Sequence, residues 1–360
     1  MNSIIDYLRA ERQQFIPIVS DFMKEQLNLH GDLTPEYNEL LRSLGEYLVR
    51  GGKWHRPALT LISYQLAGGN NLNAARQAAV SLEVLHRYLL IHDDVIDRDL
   101  MRHGGPTIEK VYQDRFAAKY PHKDDAIYSK ANAIVAGDLV KSLAYKLLLE
   151  ADFSKDIQVS CIEAYVQLMI ETAAGWQLQN EQNYQSITDV TEDDFFRGMQ
   201  LVSCQYSIMW PLRLGQILAG KLTKDSWDIN LDHYGWHTGA LFQISDDIIG
   251  MFGDEKETGK PVGHDYREGK KTFLVLIAYK KASAADKEFL LRTLGTDVTT
   301  EEVDQARRII VDTGALADVK KMAEDHLNEA KKYLALISSQ SPEGFALLDD
   351  LLDFLLNRTY

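Results

Sequence analysis

The sequence predicts an all-α protein. Apolar residues recur every three or four positions in one segment after another. No stretch alternates with the period of a strand. With 360 residues, 45% of them hydrophobic, the chain can cover helices on a large core, in one domain or two.

The net charge of −14 excludes a protein that holds nucleic acid by its backbone, which needs basic surface. An anionic substrate would need a local basic pocket instead. Cys161 and Cys204 lie far apart; they form no disulfide framework and no zinc pattern, and are expected as buried thiols of a cytoplasmic protein. The stretch MNSIIDYLRAERQQF carries charge throughout and is not expected to act as a signal peptide. No apolar run is long enough to cross a bilayer, and no internal repeat is visible.

Residues 1–29 read as an amphipathic helix with Ile4, Ile5, Leu8, Phe15, Ile18 and Phe22 as its stripe, kinked or split at Pro17. Thr34-Pro35 starts the next helix, which runs through Tyr37, Leu40, Leu41, Leu44, Tyr47 and Leu48. RGGKWHRPAL (50–59) follows. Its double glycine breaks the helix, and Pro57 suits the first turn of another. Arg50, Lys53, His55 and Arg56 cluster there. Two readings stand level at this point: an anion site built on a helix N-terminus, and a basic loop with no ligand. GGNN (68–71) is a turn. Residues 108–130 are polar and interrupted by Pro121, a loop or short helices. Helical patterns resume at 131–150, 156–180, 192–219 and 230–252, with a kink expected around Ser207 and Met209-Trp210-Pro211. Further helices are expected over Phe273–Lys281, Asp286–Leu294, Glu301–Thr313, Leu316–Ile337 and Glu343–Leu356.

The stretch IHDDVIDRDLMRHGGPT (91–107) is where chemistry concentrates. Val80, Leu82, Val84, Leu85, Tyr88 and Leu89 give the preceding segment helical spacing. If that helix reaches Asp97, Asp93 and Asp97 stand one turn apart on one face. Two such carboxylates repel unless a cation sits between them, and Mg²⁺ suits hard oxygen donors. Acidic pairs recur in a chain with 53 Asp and Glu, and Asp349, Asp350 and Asp353 repeat the spacing. Neighbours separate the two copies. The first has His86, Arg87 and His92 before it and Arg98 and Arg102 after it; the other has no basic residue until Arg358. The first is therefore expected as a ligand site and the second as solvated surface. His86, two turns before Asp93, can face the same hollow.

A second chemical stretch is FQISDDIIGMFGDEKETGKPVGHDYREGKKT (242–272). Asp246 and Asp247 lie on an apolar helix. A glycine-rich basic loop follows, with Lys256, Lys260, Arg267, Lys270 and Lys271, suited to a lid over phosphate.

Taken in order, GGKWHRP, EVLHRYLLIHDDVIDRDLMRHGGPT, PLRLGQILAG, FQISDDIIGMFGD and GKPVGHDYREGKKT resemble the trans-type isoprenyl diphosphate synthases, the makers of farnesyl and geranylgeranyl diphosphates. The resemblance implies a single all-helical domain over 1–360 around a deep central cavity, and a homodimer. It implies that Asp93 and Asp97 hold two Mg²⁺ ions, supported by Asp94, and that Asp246, helped by Asp247, holds a third. Arg102, Lys260 and Lys270 would grip an allylic diphosphate. Lys53, Arg56 and His86 would bind isopentenyl diphosphate, and Gln243 would sit near the reacting carbons. Four positions depart from the family pattern. His103 replaces an arginine that contacts isopentenyl diphosphate. Val202-Ser203 replaces a Lys-Thr pair, leaving Ser203 as its substrate contact. Gly250 stands for the third Asp of the second motif. GWQLQ (175–179) replaces GQxxD.

Tyr88, five residues before Asp93, lies more than a turn along the helix, where a large ring would act as a floor for a growing prenyl tail. Leu89 beside it is smaller than the second aromatic of fifteen-carbon enzymes. A geranylgeranyl product is expected first, farnesyl next. The alternatives are a class I terpene cyclase, disfavoured because cyclases lack the Lys53, Arg56 and His86 set, and a weakly active partner subunit, motivated by Val202 and His103.

Overall fold

The computed structural model describes residues 3–125, 127–253 and 263–358. The chain is helical, as expected, and divides into two compact units: Met1–Ile162 with Leu214–Leu222, and Glu163–Arg213 with Thr223–Tyr360.

The first unit opens with α1 (Ile4–His30), capped by the Ser3 hydroxyl. Pro17 does not split this helix: α1 runs through it. Phe15, Val19 and Phe22, on either side of the proline, are all buried, and their packing keeps the two halves in one helix. In α2 (Pro35–Val49) the Thr34 hydroxyl caps Tyr37 N–H and Pro35 takes the first turn. Gly51 and Gly52 then carry φ of 58° and 80°, conformations natural only to glycine. They turn the chain into α3 (His55–Leu66). The central helix is α4 (Leu72–Asp97), capped by Asn71 and stopped by Arg98 in the left-handed region. It packs against α3 and α6 (Tyr128–Leu149).

One element went unforeseen. A two-residue antiparallel pair, β1 (Met101–Arg102) and β2 (Gly105–Pro106), follows α4. Its turn residues, His103 and Gly104, have φ of 52° and 74°, the two positive values of a tight hairpin. Two-residue strands are too short to show alternation. Thr107 caps α5 (Ile108–Lys119), a regular helix in the stretch expected as loop or short helices.

The second unit holds most of α7 (Lys155–Tyr184), then α8 (Glu192–Met199), α10 (Ile229–Phe252), α11 (His264–Arg267), α12 (Phe273–Lys281), α13 (Ala284–Thr293), α14 (Thr300–Asp312), α15 (Ala315–Leu334) and α16 (Pro342–Asn357). Between α8 and α9 (Trp210–Leu218) the expected kink is a π-helix, Gln200–Met209. A widened turn suits the approach to Pro211, which lacks an N–H and crowds the preceding turn. α10 packs against this π segment, α15 and α16. At Gly239 a Cβ would lie 2.7 Å from the Cys204 Cα, so only glycine allows the approach. Cys161 and Cys204 are buried and unpaired; burial raises both thiols, that of Cys161 to about 12. No described helix is long and apolar enough to cross a membrane.

Candidate active site

In the first unit, buried Leu82, Leu85 and Leu89 fix α4 in the core, so its last turn carries the acids outward. Asp94 is buried; Asp93 is half-buried and Asp97 exposed. Arg102, on β1, joins them. Its Nε donates to Asp94 Oδ1 at 2.6 Å, and its Nη2 reaches Asp93 at 3.2 Å and Asp99 at 3.3 Å. The Tyr47 hydroxyl donates to the other Asp94 oxygen at 3.3 Å. Burial pushes the Asp94 carboxyl up to about 6, with Arg102 opposing the rise. Asp94 thus anchors Arg102. Asp93 and Asp97, one turn apart with solvent access, fit a hard divalent cation that keeps waters or phosphate oxygens in its shell.

Beside them, the Gly51-Gly52 turn presses on the hairpin. A Cβ on Gly51 would lie 2.4 Å from the His103 Cβ, and one on Gly105 would lie 2.2 Å from Arg50 Nη1. Arg50 Nη2 donates to Pro106 O at 2.6 Å. Lys53 is exposed and Arg56 buried at the start of α3. Burial first, then the neighbouring Arg56, Arg87, His55 and His103, hold the pKa of His86, on α4, well below the usual imidazole range. Desolvation and the cations Arg87, Arg102, Arg50 and Arg12 hold His103 down to about 4. Both histidines are therefore neutral near pH 7. So much positive charge around neutral imidazoles suits a polyanion.

In the second unit, α10 carries Gln243, Asp246 and Asp247. Ser203, on the π segment, donates to Gln243 Oε1 at 2.5 Å, and Gln243 Nε2 donates to Asp247 Oδ1 at 2.7 Å. Ser203 therefore orients the Gln243 amide, a contact the sequence reading did not foresee. Burial, then the charge of Asp265, push the Asp247 carboxyl well up. Asp265 explains Gly250. A Cβ there would lie 2.0 Å from Asp265 Oδ2, so this acid from α11 occupies the space beside the residue where the resemblance expects a third Asp. Asp265 also accepts from Lys270 at 3.1 Å. Burial works against the Lys270 charge, but Asp265 and Glu268 outweigh it and keep the lysine protonated. Arg358 Nη2 contacts Asp246 Oδ1 and donates to Phe242 O, both at 2.6 Å. Lys260 lies outside the described residues.

Asp353, in the second copy of the acidic spacing, pairs with Lys331 at 2.8 Å on exposed surface. Tyr88 is buried, its ring 4.8 Å from that of His92, with Lys141 Nζ 5.2 Å over its face; Leu89 is core. The sequence reading assigned no role to Tyr47, Asp265 or Arg358. Asp265 was the most accessible of these, since it lies inside the basic loop already singled out.

The profile of the polyprenyl synthetase family matches residues 38–311. This chain belongs to the polyprenyl synthetase family. Like its relatives it is a prenyltransferase, and the terpene cyclase reading falls away. It is 33% identical to the geranylfarnesyl diphosphate synthase of Aeropyrum pernix, over 86% of this chain and 91% of that one. It is 29% identical to a short chain isoprenyl diphosphate synthase of Methanothermobacter thermautotrophicus, over the whole of both. Among solved structures, the geranylgeranyl pyrophosphate synthase of Corynebacterium glutamicum, complexed with isoprenyl diphosphate and magnesium, matches with a TM-score of 0.89 and 25% identity over 99% of each chain.

The depressed His103 pKa has a consequence for stability. The unfolded imidazole, at 6.5, binds protons that the folded one, at about 4, refuses. The stabilising share of neutral His103 is therefore complete above about pH 6.5 and lost as pH falls toward 4. Urea midpoints of the wild type and His103→Asn should differ by a constant amount above about pH 7, and the wild type should lose ground to the variant as pH falls to about 4.5. A difference that is constant over that range would contradict the assignment.

Proposed function

We propose that the protein condenses isopentenyl diphosphate with an allylic diphosphate, dependent on Mg²⁺, to give a short all-trans prenyl diphosphate. The observation that carries this is in the first unit: accessible carboxylates at the end of α4 stand beside a cation-rich glycine turn. Metal-bridged and directly held diphosphates need both.

Asp93, Asp97 and Asp246 would hold three Mg²⁺ ions. The bound metal would neutralise charge on the leaving diphosphate, a Lewis-acid role. Arg102, Lys260 and Lys270 grip that diphosphate, while Lys53, Arg56, His86 and His103 hold isopentenyl diphosphate. The allylic carbon–oxygen bond ionises, and its electron pair leaves with the diphosphate. The isopentenyl double bond attacks the allylic cation, held in place by its own diphosphate. A proton is then lost to the released diphosphate. Gln243, oriented by Ser203, lies near the reacting carbons. Asp94 and Asp247 support the first and second acidic motifs. The apolar helices exclude water that would trap the cation. The same reading takes 1–360 as one synthase domain of a cytoplasmic homodimer, with no nucleic-acid partner.

The test is a turnover assay with purified protein, Mg²⁺, labelled isopentenyl diphosphate and several allylic primers. Prenyl diphosphate product is expected from the protein alone. No product across the primers, with or without an added partner subunit, would overturn the proposal. Asp93→Ala and Asp246→Ala should each lose at least about a thousandfold in kcat with the fold intact by circular dichroism. Asp353→Ala should stay within about twofold. Equal damage from Asp353→Ala would reverse the choice between the two acidic copies.

Geranylgeranyl diphosphate is the proposed product, with Tyr88 as floor and Leu89 beside it. The name of the Aeropyrum relative makes a product one isoprene unit longer the nearest competitor. Tyr88→Ala should lengthen the product by one or more isoprene units, read by mass spectrometry after dephosphorylation. An unchanged distribution from a folded variant would remove Tyr88 as the floor.

A further inference from the structure

We infer that Arg87 is a positioning residue for isopentenyl diphosphate: from beneath the Gly51-Gly52 turn it sets the direction of one peptide group and supplies buried positive charge. This rests on the proposed function.

Arg87 sits on α4 between His86 and Tyr88 and is fully buried. Among the described residues its ion pair is with Glu83, at 3.3 Å and just as deep. Its Nη2 also donates to Gly51 O at 3.3 Å, and the guanidinium lies 5.7 Å over the Trp54 ring. Among the described residues, its Nε and Nη1 find no hydrogen-bond partner. A buried guanidinium with two unused donors is costly, and an apolar side chain would fill the space more cheaply. Such a cost retained beside a candidate site points to use.

The use follows from the peptide it touches. Gly51 O accepts from Arg87 and, at 2.9 Å, from the Trp54 indole N–H. Both donors draw that carbonyl toward the core. In a trans peptide the next N–H points the opposite way, so Gly52 N–H is turned away from Arg87. Free backbone N–H groups in a basic glycine turn are diphosphate donors. Gly52, with φ of 80°, sits in a conformation that suits glycine, and a Cβ there would crowd Arg87 Nη2 at 2.8 Å. The charge acts as well. Arg87 shares the cluster with Arg50, Arg56, His86 and His103, and among the described residues Glu83 is its only paired acid.

Arg87→Met keeps the volume and removes both effects. Its KM for isopentenyl diphosphate should rise about tenfold or more, with kcat and the allylic KM within about threefold. Glu83→Gln tests charge against mere packing. It leaves Arg87 un-neutralised, so KM for isopentenyl diphosphate should fall, about twofold or more. A purely structural role predicts damage of the same sign from both changes, on both substrates. If Arg87→Met does not fold, Arg87→Lys takes its place and should show an intermediate KM, because the charge stays and the Gly51 contact goes. An unchanged isopentenyl KM in the folded variant, or a rise in both Arg87→Met and Glu83→Gln, would overturn the inference. Calorimetric titration with isopentenyl diphosphate alone separates this from the proposed reaction. A wild type that binds but makes no product would sink the reaction; a wild type and Arg87→Met that bind equally would sink the role of Arg87.

Discussion

The contact on which the first unit's chemistry depends is the pair of Asp94 and Arg102. It crosses from the last turn of α4 to the β1–β2 hairpin, and its Asp94 end is buried. Unpaired, either group would be expensive there. Paired, they hold the hairpin against the helix, so that Arg102 also reaches Asp93 and Asp99. The same hairpin presents His103 to Gly51. One ion pair thus sets acids on one side and a cationic turn on the other. The separation is useful: carboxylates that kept company with all the arginines would be neutralised by them and lose their appetite for a cation.

The second unit solves the same problem differently. Asp247 is buried, and burial first, then the neighbouring Asp265, disfavours its charge. Lys270 and Arg358 supply the counter-charge, the first to Asp265 and the second to Asp246. Arg358 thereby holds the Asp246 carboxylate in place. Gly250 is part of this arrangement, since it leaves the space that the Asp265 carboxylate fills.

Much of this was legible in the sequence because it is local. Apolar spacing carried α4 to Asp97, and the glycine pair located the turn. Thr34-Pro35 marked a helix start that the Thr34 hydroxyl does cap. What stayed hidden is non-local. Arg358 meets Asp246 across 112 positions. Asp265 fills the space beside Gly250 only once α11 folds back on α10. Ser203 turns to Gln243 because a π-helix rotates it there, and the sequence announces that segment only as a kink before Pro211. The split allowed for at Pro17 did not occur for a related reason, since buried Phe15, Val19 and Phe22 hold both sides of the proline in one helix.

The coupling of Asp94 to Arg102 is the most direct point of test. A double-mutant cycle with Asp94→Asn and Arg102→Met, followed by urea unfolding near pH 7.5, measures it directly. A coupling free energy of about 2 kcal/mol is expected for a largely buried, hydrogen-bonded ion pair. Single changes that add to within about 0.5 kcal/mol would mean that the two residues do not hold each other, and would contradict it.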